Sequence, residues 1–258
     1  MESLVSFFSP LKEGDPFIIF SLEHNLFMLS VIGLILLMYL LKDYIINKGL
    51  QNKVRLFIII ALLISEGSLH VWRFLIGKWS VQTSLPLHLC GISIIMSIIM
   101  LINKKYFIFE LTYFWGLIGA VLAIITPALD ITYTHYRFWQ FLTAHAFIVL
   151  AVMYMIIIEG YRPRYKSIWK TYLATNLLMF FIAGINWLIE SNYLYLRTKP
   201  VSSSKTLFDF LGPWPWYILS LEILAVIAFH LWYLPWWFDQ KMSGNSIIND
   251  DSNAFKSL

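Results

Sequence analysis

Long apolar stretches separated by short polar segments run through most of the chain. A helix needs about 20 apolar residues to cross the hydrocarbon core of a bilayer. Lipid offers the backbone no hydrogen-bond partners, so each such stretch must be helical. The pattern predicts seven spans, at residues 25–41, 54–74, 87–102, 107–125, 138–158, 169–189 and 216–234. The predicted fold class is therefore all-α, a polytopic membrane protein built as a bundle of about seven transmembrane helices.

The polar segments divide the chain and indicate its orientation. Residues 25–238 are expected to form a single transmembrane domain, after an N-terminal segment at 1–24 and before a polar, flexible tail at 239–258. Cytoplasmic loops are enriched in Lys and Arg. The loops after the first, third and fifth spans hold twelve of these residues together with the tail, and the other side holds seven. This distribution predicts an N-terminus outside and a C-terminus in the cytoplasm.

Composition supports the membrane class and excludes several others. Hydrophobic residues make up 59% of the chain and charged residues only 13%, whereas soluble domains carry about 25% charged residues. So few charges cannot cover the surface of a soluble protein of 258 residues. Disordered, secreted and nucleic-acid-binding proteins are excluded on the same grounds, and a single cysteine excludes an intramolecular disulfide.

Polar residues inside or beside the spans gather, in this topology, near the outer side of the membrane. Ionisable groups are costly in a span and are functional candidates for that reason. Glu66, His70 and Arg73 are spaced to share one helix face, and the segment 186–193 repeats this spacing. We therefore expect an outward-facing polar cavity. The residues expected to bind or orient a substrate are Glu66, His70, Cys90, Arg137, Gln140, Asn186, Glu190 and Tyr193.

Two histidines are the candidate catalytic residues. His88 and His145 lie inside predicted spans, where an imidazole needs a partner or a chemical task, and a buried imidazole suits general acid–base catalysis. Cys90 lies about 200° around the helix from His88, so His145 reaches it only if the fifth span packs on that other face. Cys90 is interpreted as a small core residue, which leaves a water or a lipid hydroxyl to be activated. Glu66 and Arg73 equally well form a neutralised structural pair.

A zinc site is the alternative chemistry for this end of the protein. Suitable nitrogen and oxygen donors are His70, His88, His135, His145, Glu66 and Asp130. No compact motif such as H-E-x-x-H occurs. The expectation is therefore no metal and no other cofactor, with zinc as the alternative.

Five sequence blocks, together with His145, resemble the YwaF-like family of bacterial integral membrane proteins. The blocks are LPLHLC at 85–90, ELTYFWGL at 110–117, RFWQF at 137–141, NYLYLR at 192–197 and GPWPWY at 212–217. The resemblance implies the same membrane architecture and a place in the bacterial cytoplasmic (plasma) membrane.

A more distant resemblance links the chain to membrane lipid enzymes. It is similar to a transmembrane acyltransferase that acts on ether phospholipids, and to the androgen-induced family of membrane hydrolases. His88 and His145 correspond by position to the two histidines of the acyltransferase. A cysteine directly precedes the first of these in that protein, whereas Leu87 stands there in this chain. The resemblance therefore supplies no nucleophile.

Taken together, the residues and the resemblance predict an enzyme whose partner is membrane lipid and not nucleic acid. The expected activity is hydrolysis or transfer of an acyl ester, with His88 and His145 as acid and base. The alternative is a receptor or transporter that binds an anion or small molecule at Arg73 and Arg137 without turnover. A purely structural protein, whose polar pairs neutralise one another, would leave no cavity.

Overall fold

The computed structural model describes residues 7–10, 17–129, 131–200 and 210–242, and in these ranges the protein is all-α. The α-helices, numbered here in chain order, are α1 (Leu22–Leu40), α2 (Lys42–Asn47), α3 (Gln51–Leu75), α4 (Leu89–Asn103), α5 (Tyr106–Thr112), α6 (Ile118–Ile125), α7 (Tyr136–Ile157), α8 (Tyr165–Leu188) and α9 (Trp216–Met242). A π-helical turn at Tyr113–Leu117 joins α5 to α6 in one continuous element.

Six of these elements are long and apolar enough to cross a membrane, which confirms the polytopic class for the described residues. Two elements are shorter: α2 has six residues, and the 15 residues of α4 span only about 22 Å, less than the hydrocarbon core of about 30 Å. Helix α4 is nearly as long as the third predicted span, 87–102, but it begins two residues later. The cause is local: His88 is extended, with φ −74° and ψ 154°, so the helix begins only at Leu89.

Helix α7 occupies the centre of the bundle. About 72% of its most apolar window is buried, against 17% for α1, α3, α8 and α9. It packs against α1, α3, α4 and α6, and small residues at the interfaces allow close approach. Gly116 is one example, since a Cβ there would lie 3.0 Å from Cγ2 of Ile148. The outer helices turn large apolar side chains such as Phe180 outward, as expected for helices surrounded by lipid.

The bundle has two distinct ends. We call the first the cavity end, and it contains the loops at 76–88 and 189–200. The two loops are joined by the Tyr193 hydroxyl, which forms hydrogen bonds with the backbone of Leu85 and Val81. The opposite end contains the loops at 103–105 and 158–164, where Glu159 pairs with Lys104. Which end faces the cytoplasm stays a prediction.

The expected division into an N-terminal segment, one transmembrane domain and a tail stays a prediction. Helix α9 continues to Met242, four residues into the segment predicted as a tail. Residues 243–258 of that tail, residues 1–6 and 11–16 of the N-terminal segment, and Asp130 lie outside the described residues.

A buried carboxylate fixes α5 against α8, and the sequence reasoning did not single it out. Glu110 is 1% exposed. It accepts hydrogen bonds from Ser167 Oγ at 2.6 Å and from Lys170 Nζ at 3.2 Å. One turn further on, Trp115 Nε1 donates to Thr175 Oγ1 at 2.8 Å. These polar contacts stabilise the helix pair around the π-helical turn, a distortion often found at functional sites.

Candidate functional site

A cavity of about 140 Å³, lined by apolar side chains together with several charged and polar ones, lies at the cavity end, between α3, α4, α7 and the loop before α4. Six of the ten residues predicted as a site line it together: Glu66, His88, Cys90, Arg137, Gln140 and His145. Arg73 lines it as well. The sequence did not single out Ser84, Pro86 and Phe141, which also line the cavity. No short-range pattern marks them, because two of the three belong to an irregular loop.

Positive charge dominates the cavity lining. Arg73 and Arg137 both reach it, and Glu66 is the carboxylate that lines it with them. Arg137 lies within electrostatic range of both other charges. Its Nη1 donates a short hydrogen bond to Gln140 Oε1, and Gln140 Nε2 donates to the carbonyl of Ser65 at 3.1 Å. Gln140 thus holds the guanidinium in place and ties α7 to α3.

His70 lies beside the cavity rather than in its lining and orients Glu66. Trp79 Nε1 donates to His70 Nδ1 at 3.0 Å, so Nδ1 is an acceptor and the proton is on Nε2. That Nε2 donates to Glu66 Oε1 at 3.2 Å. The predicted shared face of Glu66, His70 and Arg73 is therefore present, but Glu66 pairs with an imidazole on its own helix.

His145, a residue of the cavity lining, has a buried ring nitrogen without a hydrogen-bond partner among the described residues. The residue is 4% exposed, and its Nδ1 is 2.7 Å from the carbonyl of Phe141. A carbonyl only accepts, so Nδ1 carries the proton and the neutral ring leaves a lone pair on Nε2. Among the described residues this buried Nε2 has no hydrogen-bond partner. A buried polar atom of this kind is costly unless it has a task.

Cys90 shares its surroundings with His145. Both residues line the main cavity and also a small void of about 10 Å³ that lies beside it, between α4, α6 and α7. Helix α7 therefore packs on the face of α4 that carries Cys90, the arrangement that His145 needs to reach the thiol. No hydrogen bond joins the thiol to His145 among the described residues, so the interpretation of Cys90 as a small core residue stays a prediction.

His88 lies on the other side of the cavity mouth, at the extended position before α4. Its ring packs on Tyr193 and Tyr195, with centroid separations of 5.2 and 5.0 Å. In the described part of the chain no hydrogen bond to its ring nitrogens is found. Burial raises the pKa of both phenols, so both tyrosines stay protonated beside His88.

Asn186, Glu190 and Tyr193 do not form the predicted continuous helix face. Helix α8 ends at Leu188, and Glu190 is exposed in a left-handed turn with φ 56°. Asn186 is buried and binds the backbone of Tyr193 through both amide atoms, at 2.8 Å each. Asn186 and Tyr193 therefore support the loop that carries His88, and the structure places Glu190 away from the cavity lining.

The described residues do not form a set of ligands for the alternative zinc site. No group of three or more His, Cys, Asp or Glu side chains lies together among the residues that the structure describes, which leave out Asp130. His135 is engaged elsewhere, with Nε2 at 3.0 Å from the carbonyl of Ser9 and Nδ1 accepting from the backbone of Arg137. The expectation of no cofactor stays a prediction.

The fold and the cavity define a class: a multi-pass helical membrane protein with a cavity at one end of its bundle, whose charged lining residues are mainly cationic. A family model, that of the TMEM164 family, matches residues 19–233. The chain therefore belongs to the TMEM164 family. Comparison with curated proteins gave no match, and comparison with solved structures gave none either.

Proposed function

We propose that this protein is a membrane lipid acyl-ester hydrolase or acyltransferase that uses histidine acid–base chemistry. The observation that carries the proposal is the buried Nε2 of His145, which has no partner among the described residues and belongs to a residue that lines one cavity together with Cys90. An imidazole beside a thiol is the usual way to activate a nucleophile for acyl transfer. The distant resemblance to membrane acyltransferases and hydrolases points to the same chemistry.

Cavity size favours a lipid over a soluble metabolite. Sites for drug-sized ligands usually enclose about 300–1,000 Å³, whereas this cavity has about 140 Å³. Such a space holds an ester group and part of a headgroup but not a whole substrate. The acyl chains of a lipid would remain in the bilayer, where they need no protein cavity.

In the proposed reaction His145 Nε2 accepts the thiol proton of Cys90 as Sγ attacks the ester carbonyl. The tetrahedral intermediate collapses to a thioester, and the proton passes to the departing lipid alcohol. A hydroxyl of water or of a lysolipid, deprotonated by an imidazole, then attacks the thioester and restores the thiol. His88, also in the cavity lining, would donate a proton to the departing alcohol or accept one from the attacking hydroxyl.

The remaining polar residues would bind and orient the substrate. Arg73 and Arg137 would hold a lipid phosphate, or the oxyanion that develops on the carbonyl oxygen. Glu66, oriented by His70, would balance one of these charges, and Gln140 would position Arg137. We assign Asn186 and Tyr193 to the support of the His88 loop. Following the Lys and Arg distribution, we place the cavity on the outer side of a bacterial cytoplasmic membrane.

Lipid turnover by the purified protein tests this proposal. The protein is reconstituted in vesicles of phospholipid with labelled acyl chains, and free fatty acid, lysolipid and newly acylated lipid are measured by mass spectrometry. We expect Cys90→Ala, His145→Ala and His88→Ala each to lower turnover by about 100-fold or more. Ser97→Ala is the matched control, because Ser97 is another small buried polar residue of α4 and lies outside the cavity lining.

Separate outcomes distinguish the nucleophile from the base. Intact-protein mass spectrometry of the wild type should detect one bound acyl group that hydroxylamine removes, and Cys90→Ala should lack it. If only Cys90→Ala keeps the wild-type rate, the thiol is not the nucleophile and His145 activates a hydroxyl directly. If all three variants fold and keep wild-type turnover, the enzyme proposal is wrong.

A non-enzymatic anion receptor or transporter is the second candidate, favoured by one observation. Two guanidinium groups, Arg73 and Arg137, face a single carboxylate in the cavity lining, and this excess charge suits a bound anion. Isothermal titration with small anionic solutes, together with a flux assay in vesicles, tests this candidate. Saturable binding or flux without any lipid turnover would select it.

A further inference from the structure

A second, larger cavity lies at the opposite end of the bundle from the candidate site. It has a volume of about 510 Å³ and is formed by α1, the start of α2, α7 and the loop after α7. Its walls are apolar, with Ile32, Ile35 and Leu36 on one side and Met153 and Ile156 on the other. We call this cavity the α1–α7 groove.

The groove has the length and exposure of a site for an acyl chain. Ile32, Leu36 and Tyr39 follow one another along one face of α1 and lead to Lys42. Lys42 follows Ile32 by ten residues, a rise of about 15 Å along a helix. All three side chains of α1 named here are about half exposed or more, so the groove is open to the surrounding lipid.

Two cations lie at the end of the groove formed by the start of α2 and the loop after α7. Lys42 and Arg162 both line it, and in the described part of the chain neither forms a salt bridge with a carboxylate. The neighbouring Lys104 differs, since it pairs with Glu159. The groove therefore combines an apolar body with uncompensated positive charge at one end.

Arg162 is held in place for this role. Its Nη1 donates to the carbonyls of Ile156 and Tyr161, at 2.7 and 2.9 Å. Its guanidinium carbon lies 4.9 Å from the centroid of the Trp236 ring. These contacts use one of the three guanidinium nitrogens, and two remain for an anion. A guanidinium fixed in this way loses little entropy when it binds a phosphate.

We infer that the α1–α7 groove binds one anionic phospholipid, with an acyl chain between α1 and α7 and its phosphate on Lys42 and Arg162. Basic pockets between transmembrane helices are known to take anionic lipid headgroups. A free phosphate would leave the apolar body of the groove unused. A zwitterionic lipid would bring its own positive group close to the two cations. This site is separate from the cavity of the proposed reaction and does not depend on it.

Native mass spectrometry of the detergent-purified protein tests this inference. The protein is titrated with phosphatidylglycerol and, in parallel, with phosphatidylcholine of the same acyl chains. We expect one tightly bound phosphatidylglycerol and weaker binding of phosphatidylcholine. Each basic residue near a lipid surface contributes about fivefold in affinity, so Lys42→Gln with Arg162→Gln should weaken phosphatidylglycerol binding by about 25-fold.

The matched control is Lys48→Gln with Lys105→Gln, which removes two charges at the same end of the bundle. Neither residue lines the groove, and both are exposed, so binding should stay within about twofold of the wild type. Lys42→Glu alone keeps the contacts of Arg162 and should still weaken binding by at least fivefold. Leu36→Trp, which fills the groove while leaving both cations in place, should weaken binding as well.

Three results would overturn the inference. Equal loss of binding in the control pair would mean that surface charge alone attracts the lipid. Unchanged binding in Leu36→Trp would mean that no chain enters the groove. Full competition by millimolar glycerol 3-phosphate would identify a site for a free phosphate instead of a phospholipid.

Discussion

Cys90 and His145 lie on different helices and line the same two cavities. The relationship depends on the packing of α7 against α4. Because the Nδ1 proton of His145 is bound to the carbonyl of Phe141, Nε2 is the nitrogen that has no partner among the described residues. His88 lines the main cavity as well, but from the end of a loop, whereas His145 lies within a helix.

Replacement of His145 separates a catalytic imidazole from a structural one. His145→Leu removes a buried nitrogen that has no partner among the described residues. It loses the hydrogen bond to the carbonyl of Phe141, about 1 kcal/mol, and keeps an apolar side chain against the Phe141 ring. We expect the unfolding free energy to change by less than about 1.5 kcal/mol while lipid turnover falls by about 100-fold or more. Thermal unfolding in detergent and the turnover assay measure the two effects. A parallel loss of stability and activity would contradict the prediction.

Replacement of Arg73 tests whether the cavity recognises an anionic headgroup. Arg73→Gln should raise the KM for a phospholipid substrate by about tenfold, since a charge-assisted hydrogen bond contributes about 1.5–3 kcal/mol. The KM for an uncharged acyl ester should change by less than twofold. Lys78→Gln is the control, because Lys78 is exposed near the same end and does not line the cavity. An equal change for both substrates would indicate a structural effect of Arg73.

Features of the fold that depend on neighbouring residues in the sequence are predicted well, and features that depend on contacts between distant segments are not. Hydropathy locates the helices, because each span is a local property of about 20 residues. The start of α4 at Leu89 is missed, since it depends on the irregular loop around Pro86. The interpretation of the 186–193 segment as one helix face fails for a similar reason, because the turn at Glu190 leaves the helix.

The sequence predicts six of the residues that line the candidate cavity, but it does not predict how they are arranged around it. Burial cost identifies Glu66 and His145 as unusual residues of spans. Whether Cys90 meets His145 depends on the rotation of α4 against α7, which no local pattern determines. The partner of Glu66 is likewise decided by Trp79, which donates to His70 from the following loop and fixes its tautomer.

Replacement of Tyr193 tests the support of the His88 loop. The Tyr193 hydroxyl accepts from the backbone of Leu85 at 2.9 Å and donates to the carbonyl of Val81 at 2.8 Å. Tyr193→Phe should destabilise this loop by about 1–3 kcal/mol, with faster hydrogen exchange at residues 81–88 and reduced turnover. Tyr133→Phe, an exposed tyrosine of another loop, should change neither. Unchanged exchange in Tyr193→Phe would mean that the loop is held by other contacts.

A methyl group at Gly91 should displace the loop that brings His88 to the cavity. A Cβ at this position would lie 2.8 Å from Cα of Pro86 and 3.0 Å from its Cβ, and a backbone atom cannot move away as a flexible side chain would. Gly91→Ala should therefore shift residues 86–88 outward from α4. The cost of such overpacking is about 1–3 kcal/mol.

The control for this substitution is Gly184→Ala in α8. No atom lies within 4 Å of a Cβ at Gly184, so alanine there should stabilise the helix by about 0.5–1 kcal/mol. The two variants should therefore shift the thermal unfolding midpoint in opposite directions. Only Gly91→Ala should lower lipid turnover, because only Gly91 contacts the loop of His88. A stable and fully active Gly91→Ala variant would mean that the position of His88 does not matter for the reaction.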